Sequence, residues 1–183
     1  MREYLAKPNE TIEVHTNKLL SFFNDLLKLY GNHFTDEEIN LIKLACTYHD
    51  KGKANELFQT KIRGNKYTIP GEIPHGVLSC AFIEPELKKT LGDENFQLLL
   101  QSVYNHHTRD IKFNDSEINS YIEQKLMPYL KTDYPDINLQ AFQHSEGKLG
   151  EEYNNTDSYY IKYFLSIIDV ENIIVLLFEG SIR

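Results

Sequence analysis

Three observations predict an all-α fold. Apolar residues recur at three- and four-residue steps along most of the chain, helix caps sit where those runs begin, and no alternating stretch is long enough to make a sheet. The chain has 183 residues, of which 41% are hydrophobic, enough for the core of a single domain. We expect one domain over 1–183, with a polar excursion at about 131–155.

Ile12, His15, Leu19, Phe22, Phe23, Leu26, Leu27 and Tyr30 mark the first helix, and Gly31 stops it. Thr35-Asp36-Glu37-Glu38 reads as a capping box for the second, with Thr35 as N-cap and Glu38 reaching back. This helix points Ile39, Ile42, Ala45 and Cys46 inward and ends around His49-Asp50, before Gly52. Residues 63–74 hold two prolines and two glycines and read as a loop, with a short strand as an option at 66–69. Pro74 suits a helix start and places His75 in the first turn. A further helix runs from near Asp93 to His106-His107, and a weaker one covers 116–130, ended near Pro128. The last helix, about 158–179, is apolar on most faces and is expected to be the central buried one.

Composition sets bounds on function. A formal charge of −8 excludes a protein that coats nucleic acid through bulk positive charge. Two cysteines, Cys46 and Cys80, are too few to staple the fold and read as small buried hydrophobes of a reduced, cytoplasmic protein. The start, Met1-Arg2-Glu3-Tyr4-Leu5, lacks the apolar block of a signal peptide. Lys162, Asp169, Glu171 and Asn172 interrupt the apolar stretch 159–178, which argues against a membrane span.

The histidines carry the chemistry. Their order is His15, then His49-Asp50, His75, His106-His107, and finally Asp169 inside the most apolar helix, with all of them on predicted helices. His and Asp are adjacent at the end of the second helix, where the last turn lets both side chains converge on one ion. Imidazole nitrogen suits Mn, Fe, Co, Ni and Zn, whereas a Mg site draws on carboxylates and water. The set exceeds one tetrahedral site and fits one or two ions, with Asp50 able to bridge them. Such ions activate water for attack on a phosphoryl group, while a second ion or Lys53 neutralises its charge.

Each residue also has a plainer reading. His15 alone is more often a core or rim histidine, Asp169 a buried carboxylate paired with a Lys or Arg, and His106-His107 a solvated helix end. Lys51 reads as solvated, and His33 and His144 as surface residues. Lys61, Arg63, Lys66 and Arg109 make either a local basic edge or scattered solubilising charge.

The pattern resembles the HD nuclease of type I CRISPR interference, known as a separate protein or as the N-terminal domain of a nuclease-helicase. The residues that carry the likeness are His15, His49-Asp50-Lys51-Gly52-Lys53-Ala54 with Phe58-Gln59, His75 with Ser79, Asn105-His106-His107, and Asp169. It covers the chain from His15 to Asp169. The resemblance implies a helical HD bundle with its metal site between central helices, cutting single-stranded DNA in antiviral defence with one or two divalent transition-metal ions (Mn, Co, Ni or Fe, with Zn able to use the same donors). It assigns His49, Asp50, His75, His106, His107 and Asp169 to metal, and His15 to the second ion or the edge of the site. It assigns Lys53 to the substrate phosphate. Asp50, Lys53 and His15 are thus the catalytic candidates. The last motif here reads Ile168-Asp169-Val170-Glu171-Asn172, which leaves Glu171 as the alternative final ligand. The implied partners are a CRISPR helicase and a crRNA-guided surveillance complex, with no membrane. No Walker-type Gly-x-x-x-x-Gly-Lys-Ser/Thr is present, so the likeness is to the nuclease part.

Two rival functions follow from the same residues. An HD phosphohydrolase acting on a nucleotide or cyclic dinucleotide shares the order HD, His, His-His, Asp. The phosphodiesterases of that kind continue into Gly-Tyr-Pro, whereas Thr108-Arg109-Asp110 follows the pair here. A non-catalytic metal-binding regulatory module would need the ligands but not Lys53.

Overall fold

A computed structural model describes residues 2–64, 70–107 and 113–142. Helices dominate, as expected, and they pack around one core that includes Phe23, Leu78, Leu99, Val103, Ile118 and Leu126. The predicted helix at 158–179, the strand option at 66–69, and Arg109, His144, Asp169 and Glu171 lie outside the described residues.

The chain opens on a two-stranded antiparallel ribbon, β1 (Leu5–Lys7) and β2 (Glu10–Thr11). Its strands are too short to show alternation, so the sequence pattern did not mark it. Thr11 then caps α1 (Ile12–Tyr30), its side chain accepting from the Val14 amide. α1 buries His15, Leu19 and Phe23 on one face. α2 (Asp36–Tyr48) begins on the expected capping box, with Thr35 and Glu38 bonded reciprocally, and ends at His49. A single 3₁₀ turn, Lys51–Lys53, leads to α3 (Glu56–Arg63), capped by the Asn55 side chain accepting from the Phe58 amide. α4 (His75–Cys80) starts directly after Pro74.

α5 (Leu87–Asn105) begins a turn and a half earlier than the sequence suggested. It contains a break at Gly92, whose φ of 78° is open to glycine at little cost, and its continuous part starts at Asp93. α6 (Asp115–Tyr121) has its own capping box from Asn114 and Glu117. It runs through a wide π turn, Ile122–Leu126, into α7 (Met127–Lys131). Pro128 therefore does not end the helical run. It sits in the first turn of α7, just after the π turn, where the missing N–H and the bulk of the ring are absorbed by the widened backbone.

The described part of the expected polar excursion, 131–142, is mostly exposed, as expected, but two apolar residues anchor it to the core. Leu139 and Phe142 are buried, the Gln140 amide donates to the Ala81 carbonyl (2.8 Å), and Phe142 stacks on Tyr104. No helix among the described residues is long and apolar enough to cross a membrane.

Candidate metal centre

Seven of the predicted site residues converge, and Asp50 lies among the other six. His49 is the C-cap of α2 and Asp50 follows with φ −106° and ψ 0°, so the helix is already ending where the pair stands. That ending turns two neighbouring side chains toward one point. The Asp50 carboxylate is 1% exposed. One oxygen, Oδ1, faces His75 Nε2 (3.3 Å) and His106 Nε2 (3.8 Å). The other, Oδ2, faces His49 Nε2 (3.4 Å) and His15 Nε2 (3.5 Å), and accepts from Lys53 Nζ (2.7 Å).

The donors thus form two groups that share Asp50. His75, His106 and His107 bring one ligand atom each within 4.8 Å of one another, and so do His15, His49 and Asp50. In the first group the rings of His106 and His107 stand 4.4 Å apart and that of His75 5.0 Å from each. His107 is half-buried and the others are buried. The solvated-end reading of His106 and the rim reading of His15 therefore fall away: both are within the packed interior.

Close backbone contact holds the elements in place. A Cβ at Gly52 would lie 2.1 Å from the His75 carbonyl oxygen and 2.6 Å from the Ser79 amide, so the turn after Asp50 rests on the backbone of α4. Gly76 lets α4 approach α5 in the same way, since a Cβ there would meet the Tyr104 carbonyl at 2.8 Å. Ser79 pins the junction, its Oγ donating to the His49 carbonyl (2.7 Å) and accepting from the Gly52 amide (2.7 Å). Gln59 fixes Lys53 to the ribbon: its Nε2 donates to the carbonyls of Lys53 and Leu5, and its Oε1 accepts from the Leu5 amide, each at 2.9 Å.

Hydrogen bonds set the ring protons. His49 Nδ1 lies 2.8 Å from the Cys46 carbonyl and His106 Nδ1 2.6 Å from the Val103 carbonyl. A carbonyl only accepts, so each Nδ1 carries a hydrogen, and in the neutral form of either ring the Nε2 that faces Asp50 is bare. Burial pushes His75 down to about 3 and lowers His106 as well, so both are neutral. Burial alone would raise the Asp50 carboxyl; positive charge at His49 and hydrogens shared with His106, His49 and His75 lower it well below the usual carboxylate range, a role that passes to a cation where the facing Nε2 atoms are bare.

This arrangement fits a divalent cation. His49 Nε2 and Asp50 Oδ1 are buried with no hydrogen-bond partner among the described residues, and His75 Nε2 and His106 Nε2 face each other at 3.1 Å. Buried lone pairs left opposite one another are costly unless a proton or cation lies between them. Imidazole with one carboxylate is a transition-metal donor set.

Other expectations turn out differently. Lys61 pairs with Glu72, and Arg63 donates to the Glu3 carbonyl (2.6 Å), so these two build local structure rather than a basic edge. Lys51 is partly buried over the Tyr48 ring (4.3 Å), not fully solvated. His33 is exposed, and Cys46 and Cys80 are buried, as read from the sequence. A groove of about 850 Å³ lies elsewhere, with Tyr4, Ile12, Val14, Thr47 and Tyr134 among its lining, and none of its described lining residues belongs to the centre. Glu10, which bonds His15, and the clamping role of Gln59 were not legible, because each acts through a folded contact.

A helical bundle carrying His-Asp at a helix end, with further histidines closing over the Asp, defines an HD-domain protein, and HD domains as a class are metal-dependent phosphohydrolases. The family model described as "Cas3, HD domain" matches residues 13–157, and the chain belongs to that family. Its structure is similar to that of the CRISPR-associated Cas3 HD domain protein from Methanocaldococcus jannaschii. The TM-score is 0.53 at 17% identity, over 93% of this chain and 88% of that one. No curated protein matches.

Proposed function

We propose that this protein is a metal-dependent nuclease that hydrolyses phosphodiester bonds of single-stranded DNA in CRISPR antiviral defence. One observation carries the reading: the two oxygens of a single buried carboxylate, Asp50, face two separate histidine groups. This supports one ion held by His75, His106 and His107 and another by His15 and His49, with Asp50 shared between the two groups; Asp169 or Glu171 as a further ligand rests on the family resemblance alone. Divalent ions in such a site polarise a phosphoryl group and lower the pKa of coordinated water.

The chain's own residues supply positioning and charge. Lys53 is buried beside Asp50 with its ammonium 5.7 Å from the centre of the Phe58 ring, so its charge stands at the edge of the donor set. There it neutralises negative charge on a phosphate. Asp50 fixes the spacing of the two groups, and His15 approaches from α1 on the side away from His75, where it orients a water. Two divalent ions would halve the formal charge of −8 and concentrate positive charge where a phosphate sits. Binding to DNA is then local and metal-dependent, and a helicase with a crRNA-guided complex would deliver the strand.

The test is direct. Purified protein with Mn, Co or Ni is expected to cut circular single-stranded DNA and to lose the activity with chelator and in Asp50→Ala. Rapid hydrolysis of a cyclic dinucleotide with no DNA cleavage would favour the small-molecule phosphohydrolase instead. Tight metal binding with neither activity would favour the regulatory module.

A further inference from the structure

The histidines of the centre orient their rings by two different devices. His49 and His106 stand at helix C-termini, where backbone carbonyls lack amide partners, and each Nδ1 uses the carbonyl three residues earlier. His15 is in the first turns of α1, and there the carbonyls are already committed to the helix. Its Nδ1 therefore needs an acceptor from outside α1. Glu10 provides it: Oε1 lies 2.8 Å from His15 Nδ1, while Oε2 accepts from Lys18 Nζ. The Glu10 side chain is 11% exposed and that of His15 2%.

We propose that Glu10 is a positioning residue for the metal centre, holding His15 in the tautomer that turns a bare Nε2 toward Asp50. The inference rests on the metal-site reading above but not on the nuclease activity. A carboxylate accepts and does not donate when ionised, so it fixes the hydrogen on Nδ1 as firmly as a carbonyl does. It also makes the ring a stronger ligand than a carbonyl would, because the negative charge raises the electron density at Nε2. Lys18 keeps the second oxygen occupied, so the carboxylate stays oriented toward the ring.

The ribbon places Glu10 for this task. Glu10 opens β2 and pairs with Lys7 of β1, the Ile12 amide donates to the Tyr4 carbonyl (2.8 Å), and Leu5 is clamped by Gln59. The family match begins at residue 13, so the acceptor lies on a segment outside the matched span.

The test uses the full chain without metal. Long-range proton–nitrogen NMR at neutral pH is expected to show His15 with its hydrogen on Nδ1. Glu10→Gln keeps an accepting oxygen and should keep that tautomer, whereas Glu10→Ala should release it toward the Nε2–H form. Titration with Mn or Co, followed by the metal signal, should show affinity reduced about 10- to 100-fold in Glu10→Ala and by less in Glu10→Gln. The proposal is overturned by a wild-type His15 with no hydrogen on Nδ1, or by a folded Glu10→Ala that retains both the Nδ1 hydrogen and metal affinity within twofold. Should Glu10→Ala not fold, the wild-type tautomer and the metal affinity of Glu10→Gln decide. If the nuclease reading alone is wrong, tautomer and metal affinity respond as described while DNA stays uncut.

Discussion

The Ser79 hydroxyl accepts the Gly52 amide at 2.7 Å, joining the turn that follows Asp50 to the helix that carries His75. The same hydroxyl donates to the His49 carbonyl, so one buried atom serves both flanks of Asp50. Ser79→Ala would strand a buried donor and a buried acceptor, and is expected to destabilise the metal-free protein by about 1–3 kcal/mol. Urea unfolding measures it. A loss near zero would mean that the turn holds its shape without the pin.

Gly52→Ala is expected to be more severe than Ser79→Ala. The added methyl would fall 2.1 Å from one backbone atom and 2.6 Å from another, and neither belongs to a flexible side chain. Separation of the turn from α4 should cost at least about 3 kcal/mol and remove metal binding. Gly71 is the control: φ is +78° but a Cβ there would meet no atom of the described residues within 4 Å, so Gly71→Ala should cost only about 1–2 kcal/mol from backbone strain. Equal losses in the two variants would contradict the close-approach account.

The two thiols should be silent in the native protein. Burial pushes Cys46 up to about 12 and Cys80 higher still, and the thiolate is the reactive form. At pH 8 about one Cys46 in ten thousand is ionised, before access is considered. A disulfide reagent should label neither residue in buffer and both in urea. Fast labelling of either in the folded state would count against this burial.

Chain-end packing should depend on pH in two directions. The Asp133 carboxylate accepts from the Arg2 amide and the Tyr4 hydroxyl, both at 2.9 Å. These bonds hold Asp133 below the usual carboxylate value, so its contribution is full above an unfolded pKa of about 3.9 and fades as pH falls through the folded value. Tyr4 is shifted up by burial and by Asp133, so its contribution is full below about 10 and fades as pH rises through the folded value. The stability difference between wild type and Asp133→Asn should therefore be largest between those limits and shrink on both sides. A difference independent of pH would refute the linkage.

Divalent ions should stabilise the fold in proportion to their occupancy. At 100 times the dissociation constant, Mn or Co should add about 2.7 kcal/mol, with a matching rise in Tm that chelator reverses. Asp50→Ala should abolish the rise. A shift that survives in that variant would place the ions elsewhere.

What could be read from the sequence was local. The extent of α1, the Thr35–Glu38 capping box, the start at Pro74 and the end at His106 all follow from patterns within a few residues. The convergence of His15, His49, His75 and His106 on Asp50 was legible as a set of residue types, not as geometry. What escaped depends on partners far along the chain. Gln59 meets Leu5 across 54 residues, Lys61 is neutralised by Glu72, and Arg63 is taken by the Glu3 carbonyl. A basic residue in sequence is only a candidate for phosphate until its folded neighbours are known. The ribbon escaped for a simpler reason: three residues against two leave no period to detect.

Contact at Gly52 and Gly76 is made main chain to main chain, and this bears on how far such a protein can drift. Where two backbones touch with nothing between them, their separation is fixed by atoms that every sequence possesses. The side chains around them are then released from setting the distance and need only fill space. A centre anchored in this way tolerates wide replacement of its surroundings, and the fold shared with a protein of 17% identity is what such tolerance allows. Its weakness is concentrated in turn: two positions with no side chain carry a constraint that dozens of packed residues do not.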